Sequence, residues 1–543
     1  MSIAKKNARK ESHPQDRMIL SRNIQLPFDV PERPENANVL VVGGAGAGKL
    51  ACYLEPNIMQ ANSSYVITDV EGIVYNRYGK FLEHMGYRVK CLDLIHMENS
   101  CHYNPFRYIR CDRDAELLVE TLLDNTSPTT GRNGVDPSFL AAEKSLLIAL
   151  FAYLHHYITE DSQTFSVITR LLRAADVEES DSSTKSNLDS IFDEIKRYEQ
   201  TAFAVQQYEI SKIKAKSSWT DVVLSSLVRL QVFELQEVAE LTNTDDLDLE
   251  SVGNEKTAIF VIIPSGDTTF NFLAAAMYSQ LFRRVCDHCE NSAEFSQLVM
   301  DGKDQLIRVY NAGNPEESES MKEKANDFLE HARHGCVRKN ELHDLYELVT
   351  DDGEVFGHRG SKEDAEAFLS AIGEGGYVVQ RHKKSLPVRT RVMLNSFALT
   401  GKITGLTKCI SSMPRYGMSV SISVETLAQL RKVCKYEWPI ITYNCGTVLY
   451  LGGGTDYASA DWLSERMAGG VTDLSKKIPF LSAFCPGRSA RLRKQGWGVM
   501  KLPHDECIVI RRGSPAYKDK KYRAAVLPNR SNVNAIRSAV KEQ

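Results

Sequence analysis

Residues 38–57 read NVLVVGGAGAGKLACYLEPN, an apolar run followed by a glycine-rich turn and a stretch of helical character. Gly43, Gly48 and Lys49 satisfy the pattern G-x-x-x-x-G-K, placed after a strand and before a helix, as in phosphate-binding loops. Amides at a helix start and a lysine ammonium attract phosphate oxygens. We therefore predict a nucleotide site formed by Gly43, Gly44, Gly46, Gly48 and Lys49. A glycine-rich turn that serves only tight packing is the alternative interpretation.

The residue after the lysine departs from this pattern, because position 50 is a leucine. Ser or Thr at this place supplies the hydroxyl that coordinates magnesium, and the side chain of Leu50 has no oxygen. An anion at the start of a helix does not require the metal, since Lys49 and the loop amides remain. We expect weak ATP binding, poor retention of Mg²⁺ and no metal site.

The composition is that of a globular protein with more than one domain: 543 residues, 43% hydrophobic and 25% charged. A formal net charge of −4 excludes a generally basic surface for nucleic acid, although local basic patches stay open. The longest apolar run, LLIALFAYL from Leu146, is about half of the roughly 18–20 residues that a membrane span needs. The N-terminus has no signal-peptide pattern, so the sequence predicts a cytoplasmic chain without an integral membrane segment.

The cysteines are mostly scattered singly, which indicates free thiols rather than a disulfide framework. Cys286 and Cys289 form one C-x-x-C, and His331, His334 and Cys336 follow at irregular spacing. Zinc needs four ligands at compatible spacing. We therefore interpret these residues as thiols and histidines on helix faces.

Short β-branched apolar runs alternate with helical stretches from residue 38 onward, which predicts an α/β fold with a parallel-rich sheet. The strand signal stops between residues 111 and 244, where helical spacing dominates, and resumes with KTAIFVIIP at residues 256–264. Residues 290–385 interrupt the sheet again. We expect there a small α+β unit with a hairpin turning at Asp352-Gly353 and a helix from Ser361 stopped by Gly373.

These signals divide the chain into seven segments. We predict a basic polar N-terminal segment (1–35), a nucleotide-binding domain in three parts (36–110, 245–289 and 386–513), an all-α domain (111–244), the inserted unit (290–385) and a basic, loosely ordered C-terminal tail (514–543).

Several longer stretches resemble one family in the right order. They are EPNIMQANSSYVITD (55–69), HYNPFRYIR (102–110), FAVQQYE (203–209), NCGTVLYLGG (444–453) and CIVIRRGSPAYKDKKY (507–522). The chain resembles the type IV coupling proteins of the TraG/TraD conjugative DNA-transfer type, in the form found in mobile elements of Gram-positive bacteria. The resemblance covers nearly everything except about residues 290–385.

The resemblance implies a RecA-like P-loop NTPase fold with an inserted all-α domain. It also implies a homo- or hetero-hexameric ring at the inner face of the cell membrane, which delivers single-stranded DNA with its relaxase, from the relaxosome, to a type IV secretion channel. Most of the family carry N-terminal spanning helices, whereas this sequence shows none.

The departures from the family concentrate at the chemistry. In NSFALTG (395–401), Asn395 stands where the family has the magnesium-holding carboxylate and Ser396 where it has the catalytic one. Glu425 in SVETLAQL stands in place of the family's glutamine. With Leu50, these changes remove groups that position and stabilise the transferring phosphoryl group. No catalytic set is intact, so the resemblance together with these departures predicts a pseudo-ATPase.

Three hypotheses follow for function. The first is a coupling-protein homologue with impaired or absent ATP hydrolysis that assembles with an active subunit. The second is an active ATP-driven DNA translocase with a non-standard metal site, for which Asp69 is a conceivable substitute acid. The third is a non-enzymatic adaptor that recruits the relaxosome or another substrate through residues 111–244.

Overall fold

The structure is a computed structural model. It describes residues 17–27, 36–126, 136–175, 186–291, 295–303, 305–312, 315–340, 345–382, 385–454, 456–467 and 501–523. The basic residues at the extreme N-terminus and the last part of the predicted tail lie outside these ranges.

The described strands are numbered in chain order. They are β1 (Arg17–Ile19), β2 (Gln25–Pro27), β3 (Val39–Val42), β4 (Ser64–Val70), β5 (Arg88–Asp93), β6 (Thr257–Ile263), β7 (Phe295–Met300), β8 (Leu306–Ala312), β9 (Cys336–Asn340), β10 (Leu345–Val349), β11 (Val355–Arg359), β12 (Tyr377–His382), β13 (Thr390–Leu394), β14 (Met418–Val424), β15 (Thr447–Tyr450), β16 (Glu506–Arg511) and β17 (Tyr517–Lys520).

The described α-helices are numbered in the same way. They are α1 (Glu55–Ile58), α2 (Ile73–His84), α3 (Asp112–Thr126), α4 (Pro137–Tyr157), α5 (Phe165–Arg173), α6 (Asn187–Tyr198), α7 (Phe203–Ala215), α8 (Trp219–Leu230), α9 (Gln236–Asn243), α10 (Asn271–Asn291), α11 (Pro315–Arg333), α12 (Lys362–Gly375), α13 (Phe397–Thr400), α14 (Leu406–Cys409), α15 (Leu427–Cys434), α16 (Trp438–Tyr443) and α17 (Tyr457–Met467).

A nine-stranded sheet forms the centre of the molecule, in the order β17-β16-β15-β3-β14-β13-β4-β6-β5. All neighbours from β15 to β5 are parallel, and β16 and β17 extend the edge in antiparallel orientation. Strands β3, β6 and β14 are buried along their whole length, as expected for a parallel sheet covered on both faces. The predicted α/β fold with a parallel-rich sheet is confirmed.

Parallel strands bring the segments after them to one edge of the sheet. The glycine-rich loop follows β3, which lies between β15 and β14. Segments after β4, β13, β14 and β15 reach the same edge, and in open α/β sheets this edge is where ligands bind. The topology therefore gathers there the residues that the sequence nominated for phosphate binding and catalysis.

Helices α3 to α9 lie between β5 and β6, in the region where an all-α domain was expected. Among the described residues, one helix, α4, has the length and apolar composition of a membrane span; 61% of its most apolar window is buried inside the protein. Its core residues pack in the main hydrophobic cluster with those of α3 and α7. Burial within the fold accounts for the apolar composition of α4.

The inserted region contains two three-stranded sheets, β12-β7-β8 and β11-β10-β9, together with α11 and α12. The predicted hairpin is present, with Gly353 in the turn at φ +96°. The side chain of Ser361 accepts a hydrogen bond from the amide of Asp364 at the start of α12. The expected stop at Gly373 is wrong, because α12 continues to Gly375; nothing crowds a side chain at Gly373.

The N-terminal segment is more than a polar extension. Strands β1 and β2 form a hairpin, and Met18 and Leu20 are buried in the same apolar cluster as β3. The side chain of Asn57 accepts from the amide of Ile19 at 2.8 Å and donates to its carbonyl at 2.8 Å. This hairpin is therefore anchored on the helical segment that follows the glycine-rich loop.

Candidate nucleotide-binding site

The glycine-rich loop has the curvature that its glycines permit. Gly46 and Gly48 adopt φ of +70° and +89°, which side chains rarely tolerate. A Cβ on Gly44 would lie 2.0 Å from the carbonyl oxygen of Gly453. At these three positions the backbone conformation or the close approach of another segment requires glycine.

A second glycine-rich turn, residues 452–454 after β15, forms a wall against this loop. Its three residues have φ between +73° and +82°. The amide of Gly44 donates to the carbonyl of Gly452 at 2.9 Å, and the amide of Gly43 donates to the carbonyl of Val424 at 3.1 Å. The strand pattern of residues 446–453 predicts only the end of a strand here, although three consecutive glycines signal a turn.

The remaining amides of the loop are available to a ligand. Within the described part of the chain, the amides of Gly46, Gly48 and Lys49 make no hydrogen bond to another backbone group or side chain. Gly46 is exposed, and Gly48 and Lys49 are half-buried. Amides that curve around the start of a helical segment form an anion-binding site. The loop therefore fits the phosphates of a nucleotide.

The ammonium of Lys49 contacts its own loop. Nζ donates to the carbonyls of Gly43 at 2.7 Å and Gly44 at 3.1 Å, and it lies 3.9 Å from Oε1 of Glu425. Burial lowers the pKa of Lys49, and the negative charge of Glu425 partly opposes this shift. The structure thus brings together Lys49, in the loop after β3, and Glu425, which directly follows β14.

The residues that the loop pattern and the family resemblance assign to magnesium offer little to a metal ion. Leu50 begins a π-helical turn (Leu50–Leu54) and packs against the apolar cluster under the loop. Asn395 and Ser396 follow β13, which is separated from β3 by β14. Ser396 has φ +54° and its carbonyl accepts from the amide of Leu399 as α13 begins. These groups provide one amide and one hydroxyl where a carboxylate pair would retain the ion.

Among the described residues, the group of His, Cys, Asp and Glu side chains close enough to hold a metal lies elsewhere. It consists of His331, Asp351 and Asp352 in the inserted region, all at least partly exposed. Cys286 and Cys289 are buried in α10.

Asp69, the conceivable substitute acid, is engaged by a helix. Its two carboxylate oxygens accept hydrogen bonds from the amides of Val74 at 3.0 Å and Tyr75 at 2.7 Å at the start of α2. Burial raises the pKa of Asp69 to about 6, although both hydrogen bonds act in the opposite direction. The side chain therefore caps α2, which argues against a metal-holding role.

A second lysine contacts the loop from the C-terminal side of the chain. Lys521, directly after β17, is buried, and its Nζ donates to the carbonyl of Ala47 at 2.8 Å. Burial lowers the pKa of this lysine. The expectation of a loosely ordered tail is wrong for residues 517–521. Strand β17 has the charged sequence YKDK, which lacks the apolar alternation of a typical strand, so the pattern did not predict it.

Comparisons with known proteins agree with this geometry. The family described as "Type IV secretory system Conjugative DNA transfer" matches residues 4–300, more than half of the 543 residues. The chain belongs to this family. A second family, "TraM recognition site of TraD and TraG", matches residues 389–477 of this type IV coupling protein. The residues between the two matches, 301–388, largely coincide with the inserted region.

Solved structures of plasmid coupling protein TrwB share the fold of this coupling protein. TrwB in complex with the non-hydrolysable ATP analogue ADPNP has 11% identity and a TM-score of 0.52, covering 93% of this chain and 89% of that chain. TrwB in complex with ADP and Mg²⁺ has 12% identity and a TM-score of 0.52, covering 93% of this chain and 89% of that chain. The unbound monoclinic form of TrwBdeltaN70 has 12% identity and a TM-score of 0.53, covering 94% of this chain and 90% of that chain. The comparison with curated proteins gave no match.

These findings confirm the predicted family, the RecA-like P-loop fold and a coupling-protein role in conjugative DNA transfer. Several of the nominated residues lie at one sheet edge. The loop, Lys49 and Glu425 form one site, whereas Asn395 and Ser396 lie two strands from β3.

Proposed function

We propose that this coupling protein binds a nucleotide through its loop without hydrolysing it at a useful rate, and that it acts as a ring subunit beside an active coupling protein. The observation that supports this most is the contrast within one site. The amides of Gly46, Gly48 and Lys49 are available to phosphate, while Leu50 and Asn395 replace the groups that would hold the metal.

Phosphoryl transfer depends on positioning and charge stabilisation, and magnesium, if bound, would supply much of that stabilisation. Here the chain's own contribution is the ammonium of Lys49 and the loop amides, which orient an anion. Removing one group that stabilises transition-state charge costs about 10²–10³ in rate. Loss of the metal hydroxyl, the metal-holding acid and the catalytic carboxylate together leaves binding as the main activity.

The partners follow from the family. We propose a relaxosome or relaxase–DNA complex and type IV secretion channel components as partners, with single-stranded DNA as the transferred molecule. Since most soluble oligomers are closed and symmetric, a homo- or hetero-hexamer with an active coupling protein is the proposed assembly. The proposed location is cytoplasmic, at the inner face of the cell membrane.

Exposed apolar side chains on α7 and α8 support a recruiting role for the helical region, residues 111–244. Ile213 on α7 and Leu224 and Val228 on α8 are 71%, 53% and 71% exposed. Leu224 and Val228 are one helical turn apart and share a face of α8. In the full chain, Leu224→Glu with Val228→Glu would abolish recruitment of a relaxase–DNA complex if this face binds it. Unchanged co-purification would contradict the recruiting role.

The nucleotide proposal is tested by two measurements on the full chain. Phosphate release is measured with ATP, magnesium and single-stranded DNA, and binding is measured with a fluorescent ATP analogue. We expect no phosphate release above that of Lys49→Ala, and binding that Lys49→Ala abolishes. Lys80→Ala, at an exposed lysine on α2, is the charge-matched control. Magnesium-dependent phosphate release that requires Lys49 would overturn the proposal.

A further inference from the structure

Glu425 lies directly against the lysine of the glycine-rich loop. It follows β14, the strand beside β3, and its Oε1 is 3.9 Å from Nζ of Lys49. Its amide donates to Oε1 of Gln429 at 2.9 Å, and Nε2 of Gln429 donates back to Oε2 of Glu425 at 3.2 Å. Both the backbone and the carboxylate of Glu425 are thus held by one side chain, which fixes the carboxylate beside the ammonium.

The pair of Lys49 and Glu425 differs from an ordinary surface ion pair, because its lysine is largely buried. The side chain of Lys49 is 12% exposed, and that of Glu425 is 47% exposed. Lys49 already donates to two carbonyls of its own loop, Gly43 and Gly44. Among the described residues, the carboxylate of Glu425 is therefore a half-exposed anion beside the ammonium that would contact the terminal phosphate of a nucleotide.

We propose that Glu425 makes this site select a nucleoside diphosphate over a nucleoside triphosphate. The inference rests on the proposed nucleotide binding. A triphosphate brings an additional negative phosphate to the ammonium of Lys49, where the carboxylate of Glu425 already lies, and these like charges repel. A diphosphate carries less charge and is held by the amides of Gly46 and Gly48.

Among the described residues at this site, the groups expected to hold a metal beside the extra phosphate offer it little compensation. Leu50, Asn395 and Ser396 contribute no negative oxygen that would retain a magnesium ion beside the phosphates. In the described part of the chain, the residues able to group around a metal lie in the inserted region. Glu425 alone is a poor substitute for the missing acids, because a single carboxylate leaves most of the coordination shell to water.

The experiment measures both nucleotides on the full chain. ADP and ATP compete against N-methylanthraniloyl-ADP, with EDTA and separately with magnesium. We expect ADP to bind about tenfold tighter than ATP, which corresponds to about 1.4 kcal/mol. Glu425→Gln keeps the hydrogen-bonding shape and removes the charge. We expect it to bring the two affinities within about threefold, mainly through tighter ATP binding.

Glu437→Gln is the matched control. Glu437 is 44% exposed and lies 3.8 Å from Lys402, so it has nearly the same exposure and ion-pair distance as Glu425 but is not next to the loop. We expect the Glu437→Gln variant to prefer ADP over ATP by the same factor as the unmodified protein. Thermal unfolding of both variants verifies that each is folded.

The outcomes separate the two proposals. Lys49-dependent binding with equal affinities for ADP and ATP, or a preference that Glu425→Gln leaves unchanged, overturns the diphosphate selectivity and leaves nucleotide binding intact. Loss of magnesium-dependent ATP binding in Glu425→Gln also overturns it, since the carboxylate would then be a metal ligand. Absence of Lys49-dependent binding for either nucleotide overturns the proposed function itself and the selectivity with it.

Discussion

Lys521 provides the sharpest test of how the sheet edge shapes the nucleotide site. We predict that Lys521→Met weakens binding of the fluorescent nucleotide analogue by about tenfold in the full chain. The substitution keeps the length of the aliphatic chain and removes the ammonium that donates to the carbonyl of Ala47 at 2.8 Å. That carbonyl belongs to the loop whose amides are available to the phosphates of a nucleotide.

The magnitude follows from the bond. A hydrogen bond from a charged donor contributes about 1.5–3 kcal/mol to stability. Were the whole amount used to preorganise the loop, affinity would fall by roughly 10- to 150-fold. Burial disfavours the ammonium, as the lowered pKa of Lys521 indicates, and the amides of Gly43 and Gly44 keep their own partners. We therefore expect a loss near the lower limit.

The neighbouring lysine gives a matched control. Lys520 is 49% exposed and pairs with Asp505 and Glu506 on the surface, an arrangement worth about 0–1 kcal/mol. We expect Lys520→Met to leave nucleotide affinity unchanged. If both variants bind nucleotide as the unmodified protein does while remaining folded, or if both lose the same affinity, the assigned role of the Lys521 contact is wrong.

Three further substitutions probe stability. Burial raises the pKa of Asp69 from 3.8 to about 6, so the folded state binds more protons than the unfolded state between pH 3.8 and 6. The free energy of unfolding therefore falls as pH rises through this range, by at most about 3 kcal/mol. Asp69→Asn should flatten this pH dependence in urea titrations from pH 4 to 7. Arg229→Met leaves the carboxylate of Glu143, which is 1% exposed, without its buried ion-pair partner. We expect the free energy of unfolding in denaturant to fall by about 3–5 kcal/mol. Adding Glu143→Gln in the same chain should recover much of this lost stability. Asn57→Ala removes both bonds to Ile19, about 1–3 kcal/mol, and should speed proteolysis of the N-terminal hairpin without moving the main unfolding transition equally.

The central sheet and the loop could be predicted because their signals are local. Buried parallel strands such as β3, β6 and β14 appear as continuous β-branched runs, and the G-x-x-x-x-G-K pattern reports its own turn. The strands and the loop need only neighbouring residues to be recognised. The departure at Leu50 is a prediction from the loop pattern itself, whereas the one at Asn395 rests on the family resemblance.

The remaining features depend on contacts between distant parts of the chain. Strands β1 and β17 are short and carry charged residues, so their strand character comes from pairing rather than from pattern. The contact between Lys521 and Ala47 joins residues far apart in sequence. The meeting of Glu425 with Lys49 needs the strand order β14-β3, which the sequence alone does not specify.

The lateral edge strand β17 also joins the N-terminal hairpin to the C-terminal part of the described chain. The amide of Arg22 donates to the carbonyl of Lys520 at 2.9 Å, and Ser21 and Asn23 donate to the carboxylate of Asp519. One residue further, Lys521 contacts the phosphate loop. Loosening of residues 21–23 is therefore expected to reach the phosphate loop through β17 and Lys521.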